Sequence, residues 1–419
     1  MIVKRSLCVN CTIIVAMIAL SMVLVRLMKY SEVFVVLNAL WSILILKYVF
    51  SRVKSFDKLE RTILKMGILI RVTLSVLFTL FFDTIGKSLM HIDSTMFYEI
   101  GKNYFYNDYS RYNTRFPEAI KMVFNVSGPG LLILLMINLL IWFESLVLIL
   151  KVSGEGNAKR RIIIAFYCFF PMNLYLNVNV LRETIMSFFI MLAIYFTFCW
   201  MQQGKYKDLV LAVLVSIPAV ILHSVSVALW LGVYLVYFFW DVDLKRWKVS
   251  RDKTITIIPM LFMFLLFLFM HSKGYFAYLP MDVSLKGIVE KERFTGRSDY
   301  LTGIEVNGMI PFAGWTVVRS VYFWLSPMIY DISTMKDAIA FFVDSIPFIG
   351  LFFALLIHKS NNKYYKSIII FLAIYTILYA WGTGNAGTAM RHRGMLVGVV
   401  LMLYGLKARR MPREVESLA

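Results

Sequence analysis

At 419 residues, 60% hydrophobic and only 16% charged, the chain is too apolar for a water-soluble globule. Its 44 Lys and Arg outnumber 25 Asp and Glu, for a formal charge of +19, yet no soluble basic domain carries that surplus. This argues against nucleic acid as a partner and for a membrane protein with cation-rich cytoplasmic loops. Backbone amides in lipid must bond internally, so spanning segments without strand alternation are helices, each needing about 20 apolar residues.

In chain order, Lys4 and Arg5 precede an apolar run from Leu7 to Leu27, an uncleaved first span. Val33 to Phe50 returns to a connector bearing Arg52, Lys54, Lys58, Arg61 and Lys65, which the charge bias places inside. Met66 to Phe82 leads out to a polar loop over 83–128, and Leu131 to Leu150 returns to Lys151, Lys159, Arg160 and Arg161. Ile162 to Val180 runs outward and Thr184 to Met201 back, with Leu181-Arg182-Glu183 as the turn. Leu209 to Leu222 and Val225 to Trp240 then form a short hairpin at His223, with Pro218 helping the bend. Together they are short for two full spans, so one long tilted helix remains the alternative.

Ile255 to Met270 leads to a second outer loop over 271–337, whose segment 312–330 is expected to be interfacial or re-entrant. Ala338 to Ile357, Ser367 to Trp381 and Met395 to Leu406 complete the pattern. The expectation is an all-α polytopic protein, one transmembrane domain over 1–419, with about 12 transmembrane helices and both termini cytoplasmic. The four cysteines, Cys8, Cys11, Cys168 and Cys199, lie in apolar runs and read as small core residues; no zinc ligand set is completed.

The chemistry-bearing residues gather on the expected outer side. Asp93 and Tyr98 share a stretch rich in Tyr; a partly dry carboxylate there suits a base for a sugar hydroxyl, with aromatic faces packing on the ring. Arg182 and Glu183 interrupt two apolar runs, and charge at membrane depth is a functional candidate by default. Arg182 would grip a diphosphate with its planar fork, and Glu183 would orient it or act as base. His223 suits a phosphate contact or a proton relay, a lone imidazole being no metal site. The run from Gly382 to Arg393 pairs small residues with Arg391, His392 and Arg393 at a helix start, an anion-binding pattern without the nucleotide-loop signature. Arg293, Arg297 and Arg319 in the second loop are further phosphate or sugar contacts.

These pieces resemble the bacterial polytopic polysaccharide polymerases (Wzy and EpsG-like proteins), which share features with the GT-C glycosyltransferases. The matching stretches are Asp93-Ser94-Thr95-Met96-Phe97-Tyr98, Leu181-Arg182-Glu183, His223-Ser224 and Asn385 to Arg393. In the GT-C layout the acidic loop follows the first span, whereas here three spans precede it. The resemblance implies joining of undecaprenyl-diphosphate-linked oligosaccharide repeats at the outer face of the bacterial cytoplasmic membrane, as in O-antigen, capsule or exopolysaccharide synthesis. It implies no cofactor or metal, and membrane lipid and a chain-length regulator protein as partners. It calls for a cationic clamp on the departing diphosphate (Arg391, Arg393 and Arg182, assisted by Arg319) and a base (Glu183 or Asp93, with His223 second). The competing functions are a GT-C enzyme adding one sugar from a polyprenyl-phosphate donor and a flippase for the lipid-linked unit. A third, a polysaccharide acyltransferase, lacks its expected signature.

Overall fold

The computed structural model describes residues 2–27, 31–87, 90–106, 115–154, 157–248, 299–301, 309–357 and 362–408. The apolar run from Ile255 to Met270, most of the second outer loop with Arg293 and Arg297, and the C-terminal tail lie outside the described residues. The chain is an all-α membrane protein: among the described residues, six helices are long and apolar enough to cross a bilayer. The chain divides into two compact units, 1–143 with 175–182 and 144–174 with 183–419.

In the first unit, α1 (Ile2–Leu27), α2 (Ser31–Val53) and α3 (Lys58–Leu80) are the long helices. Asp57 starts α3 with a capping box: it accepts from the Glu60 amide, and Glu60 reaches back. The expected polar loop after α3 is largely helical. Here α4 (Ile92–Tyr106) and α5 (Phe116–Ser127) pack face to face, with Phe97 against Phe116 at 5.2 Å and Tyr98 against Phe124 at 6.1 Å. Gly101 has Ile120 where a β-carbon would sit, so the two backbones approach closely. Phe97, Tyr98, Tyr104, Phe116 and Phe124 are buried as the core of this pair. Asn38 of α2 donates to the carbonyls of Ser127 and Gly128, fixing the turn into α6 (Leu131–Ser153). Gly128, at φ +72°, is required there, since only glycine adopts that backbone without strain.

In the second unit, α16 (Ala386–Ala408) is the hub, almost wholly buried from Met395 to Leu403. Gly398 admits Met191 of α9 (Arg182–Gln203) and Ile149 of α6, and Gly405 admits Ser153. The span expected over 162–180 is broken: α7 (Asn157–Phe169) stops before Pro171, which opens the short α8 (Pro171–Asn177). The segment over 209–240 is a hairpin, not one helix. α10 (Tyr206–Leu222) runs through Pro218 and ends at extended His223; a 3₁₀ turn follows, then α11 (Ala228–Phe239). Trp230 Nε1 donates to Ser216 Oγ at 2.7 Å across the hairpin, and Trp240 Nε1 to Met201 O at 3.2 Å at its base. The bend lies at His223, beyond Pro218, because the extended His223 residue ends the helical ladder.

β1 (Trp240–Asp241) and β2 (Arg246–Trp247) form a small antiparallel hairpin. α12 (Met309–Leu325) packs along α15 (Tyr365–Gly382) in the opposite direction: Phe312 and Thr316 meet Trp381, and Trp324 bonds Thr376 at 2.9 Å. The helix stops before Ser326-Pro327, and α13 (Met335–Ala340), a π-helical turn and α14 (Ile346–Ile357) follow. The basic connectors share one end of this unit. There Trp240 and Trp247 lie 5.4 Å apart, Trp240 and Tyr364 5.5 Å, and Asn362 donates to Leu406 O. Glu183, His223 and the start of α16 share the other.

Candidate functional site

The decisive contact joins residues 208 apart in sequence. Arg391 donates from Nε to Glu183 Oε1 at 3.1 Å, and its Nη2 bonds the same oxygen. Glu183 is 1% exposed and Arg391 9%. Helix geometry explains the meeting: Glu183 sits in the first turn of α9, and Arg391 lies about 8 Å into α16 at 1.5 Å per residue. Glu183 and the Arg391-His392-Arg393 stretch therefore share one end of the second unit. Val178, Asn179, Val180 and Leu181, which lead into Arg182, are all buried.

His392 and His223 meet edge to face at 5.7 Å, and both rings border Tyr379, at 4.5 and 6.0 Å. Tyr379 in turn stacks on Phe323 and Tyr375. The His223 Nδ1 accepts from the Val225 amide at 3.3 Å, so in the neutral ring the proton sits on Nε2, which is a donor. That suits a phosphate oxygen better than proton abstraction.

Arg393 departs from its expected place in the clamp. It is wholly buried and bonded to Asp344 through Nε at 2.7 Å and through Nη2, to Ser345 Oγ, and to the carbonyls of Phe323 and Trp324 at 3.3 and 3.1 Å. Those carbonyls belong to the last turn of α12, where no intrahelical partner exists. Arg393 is an internal brace. Arg319, 2% exposed, donates to Leu301 O and lies 4.7 Å from the Trp381 ring centre.

The glycine-rich stretch before α16 also does less than its composition promises. Asn385 caps the helix, accepting from the amides of Gly387 and Thr388 at 2.9 and 3.3 Å, and its side chain bonds Asp299. Tyr300 N donates to Gly384 O at 2.8 Å. Amides that looked ready for an anion already have a partner within the chain.

In the first unit, Asp93 opens α4 with its side chain 33% exposed. Its neighbour Ser94 accepts from Val180 N at 2.7 Å, and His91 N donates to Asn179, which ties this helix start to the segment before Arg182. Arg182 is half-buried at the end of that segment. Tyr98 is packed between Phe82 and Phe124, and burial pushes its phenol from 10.0 up to about 12. A phenol so enclosed is a packing group of the α4–α5 pair.

Sequence reasoning missed Asp344 and Arg71. Arg71 lies in α3, 1% exposed, with its guanidinium 3.9 Å from the Trp142 ring centre. Both were signalled by a lone charge inside an apolar run, the feature that singled out Arg182 and Glu183. Tyr379, a tyrosine among many, carried no such signal. Among the described residues no group of three or more His, Cys, Asp or Glu could hold a metal ion. Comparison with protein-family models, curated proteins and solved structures found no match to this chain.

Proposed function

We propose that the chain is a bacterial inner-membrane glycosyltransferase that joins lipid-diphosphate-linked oligosaccharide units at the outer face of the membrane. The observation that supports this reading is the buried Arg391–Glu183 pair, with the contacting His223, His392 and Tyr379 rings at the same end of the second unit, away from its basic connectors. If those connectors face the cytoplasm, the pair faces outward. About twelve spans, with 312–330 as an interfacial or re-entrant segment, belong to the same reading; the structure has one unbroken helix over Met309–Leu325 there.

In this chemistry the bond between the donor sugar's anomeric carbon and the diphosphate oxygen breaks. The diphosphate leaves with the bonding pair, and an acceptor hydroxyl forms the new bond while a base takes its proton. Arg391, aligned by Glu183, meets the charge growing on the leaving group, and His223 Nε2–H donates to a phosphate oxygen. Glu183 is thereby withdrawn from the base's role: it is buried and committed to a guanidinium. Asp93, in the first unit and with its side chain 33% exposed, is the other carboxylate that the resemblance implies as base.

The test is gel analysis of surface glycan from cells carrying Arg391→Lys, with protein level followed by immunoblot. Lysine keeps the charge but loses the planar fork. A polymerase predicts collapse of the ladder to single repeat units at unchanged protein level. Loss of the single unit itself would favour the one-sugar GT-C enzyme, and an intact ladder would remove Arg391 from the site.

A further inference from the structure

The end of the second unit that gathers the basic connectors holds a groove that the proposed chemistry does not use. Phe239 at the end of α11, Trp247 and Lys248 of the β-hairpin, and Lys366, Ile369 and Ile370 from the first turns of α15 line a cavity of about 340 Å³. Its walls divide by chemistry. Phe239, Ile369 and Ile370 supply an apolar floor, exposed in part, and Lys248 and Lys366 stand exposed at the rim.

The frame is fixed by backbone bonds. Lys248 N donates to Phe239 O at 2.9 Å, and Trp247 Nε1 donates to Lys363 O at 2.7 Å. Trp240, Trp247 and Tyr364 cluster at this level, and such amphipathic rings favour the headgroup zone. From there α15 runs on as a candidate membrane span, so Ile369 and Ile370 lie one turn toward the hydrocarbon side of Lys366. Lysine stems lie along apolar surface and keep the ammonium in the polar layer. Of the neighbouring acids, Asp241 is engaged by the Leu244 amide at 2.9 Å, and Asp243 is exposed on the hairpin turn.

We propose that this groove binds an anionic phospholipid, with its phosphate between Lys248 and Lys366 and the upper part of an acyl chain over Phe239, Ile369 and Ile370. Charge complementarity selects this occupant. A zwitterionic lipid supplies no net counter-charge to the two ammonium groups. A second copy of the chain would bring further cations to the same end, among them Lys205, Lys207 and Lys363. A basic residue at an anionic surface contributes about a five-fold preference, so the pair should give a roughly thirty-fold preference over a zwitterionic headgroup. The site lies apart from the Arg391–Glu183 pair and stands whether or not that pair transfers sugars.

The test uses the full chain, purified in neutral detergent and titrated with phosphatidylglycerol or phosphatidylcholine. Bound lipid is read by native mass spectrometry and stability by thermal gel filtration. The expected result is preferential retention of phosphatidylglycerol and a Tm rise specific to it. Both should be lost in Lys248→Gln/Lys366→Gln and retained in the control Lys205→Gln/Lys207→Gln. High salt should weaken the preference. Equal binding of the two lipids by the wild type would overturn the proposal. So would an equal loss in the control pair, because the preference would then belong to the basic end as a whole. A phosphatidylglycerol-independent shift to dimers would assign the groove to a second copy, against the proposal.

Discussion

Cutting the Arg393–Asp344 pair asks whether Arg393 braces the fold or grips substrate. Both side chains are at most 1% exposed, so bulk solvent does not reach either charge to replace a lost partner. Asp344→Ala would leave a buried guanidinium without its carboxylate, at a cost of about 3–5 kcal/mol. Arg393→Ala would strand the carboxylate and also strip the donor from the Phe323 and Trp324 carbonyls, adding about 1–3 kcal/mol. Replacing both with apolar residues of similar size, Arg393→Met with Asp344→Leu, removes the buried charges together and should recover most of the loss. The expected stability order is therefore wild type, double variant, Asp344→Ala, Arg393→Ala, measured by thermal gel filtration of a fluorescent fusion. Glycan ladders from the double variant, at a temperature where it remains folded, should persist if Arg393 is a brace. Asp344→Ala within about 0.5 kcal/mol of wild type would refute the buried-pair argument. A folded double variant that makes no ladder would return Arg393 to the clamp.

Two further expectations rest on single residues. A phenol raised in the folded state stabilises below its unfolded value and loses that contribution as pH climbs through its folded one; for Tyr98 the window runs from 10.0 to about 12. Tyr98→Phe should thus blunt alkaline unfolding in that window and leave the activity profile near neutral pH unchanged; a shifted neutral profile would give Tyr98 a catalytic proton. At Gly405 an added β-carbon would fall on the Ser153 side chain and press its backbone, so Gly405→Ala should destabilise by about 1–3 kcal/mol in the same thermal assay. An unchanged Tm there would show that α6 and α16 are not packed as closely as described.

The parts of this fold that were legible in the sequence are those set by the solvent. A bilayer demands apolar length, so the helices over 31–53, 58–80, 131–153, 182–203 and 365–382 stand out as hydropathy runs, and the basic connectors mark one end of the second unit. The hairpin at His223 was visible too; Pro218, expected to help the bend, lies inside α10, and the extended His223 residue alone ends that helix. Where neighbouring helices replace lipid, the one-dimensional pattern loses its meaning. Helices α4 and α5 bury one face on each other, and their residual polarity reads as loop.

The same distinction governs the site. Charge inside an apolar run announces that a residue is unusual, and Arg182 and Glu183 were found that way; Arg391 and Arg393 were found by the small residues that precede them. It does not announce a partner. Arg391 and Arg393 are separated by one residue, yet they point into different company, one toward Glu183 of α9 and the other toward Asp344 between α13 and α14. On a helix two residues correspond to about 200° of rotation, so adjacent arginines in a motif face opposite sides. A motif read as part of one clamp is therefore physically two devices, Arg391 bonded to Glu183 and Arg393 to Asp344.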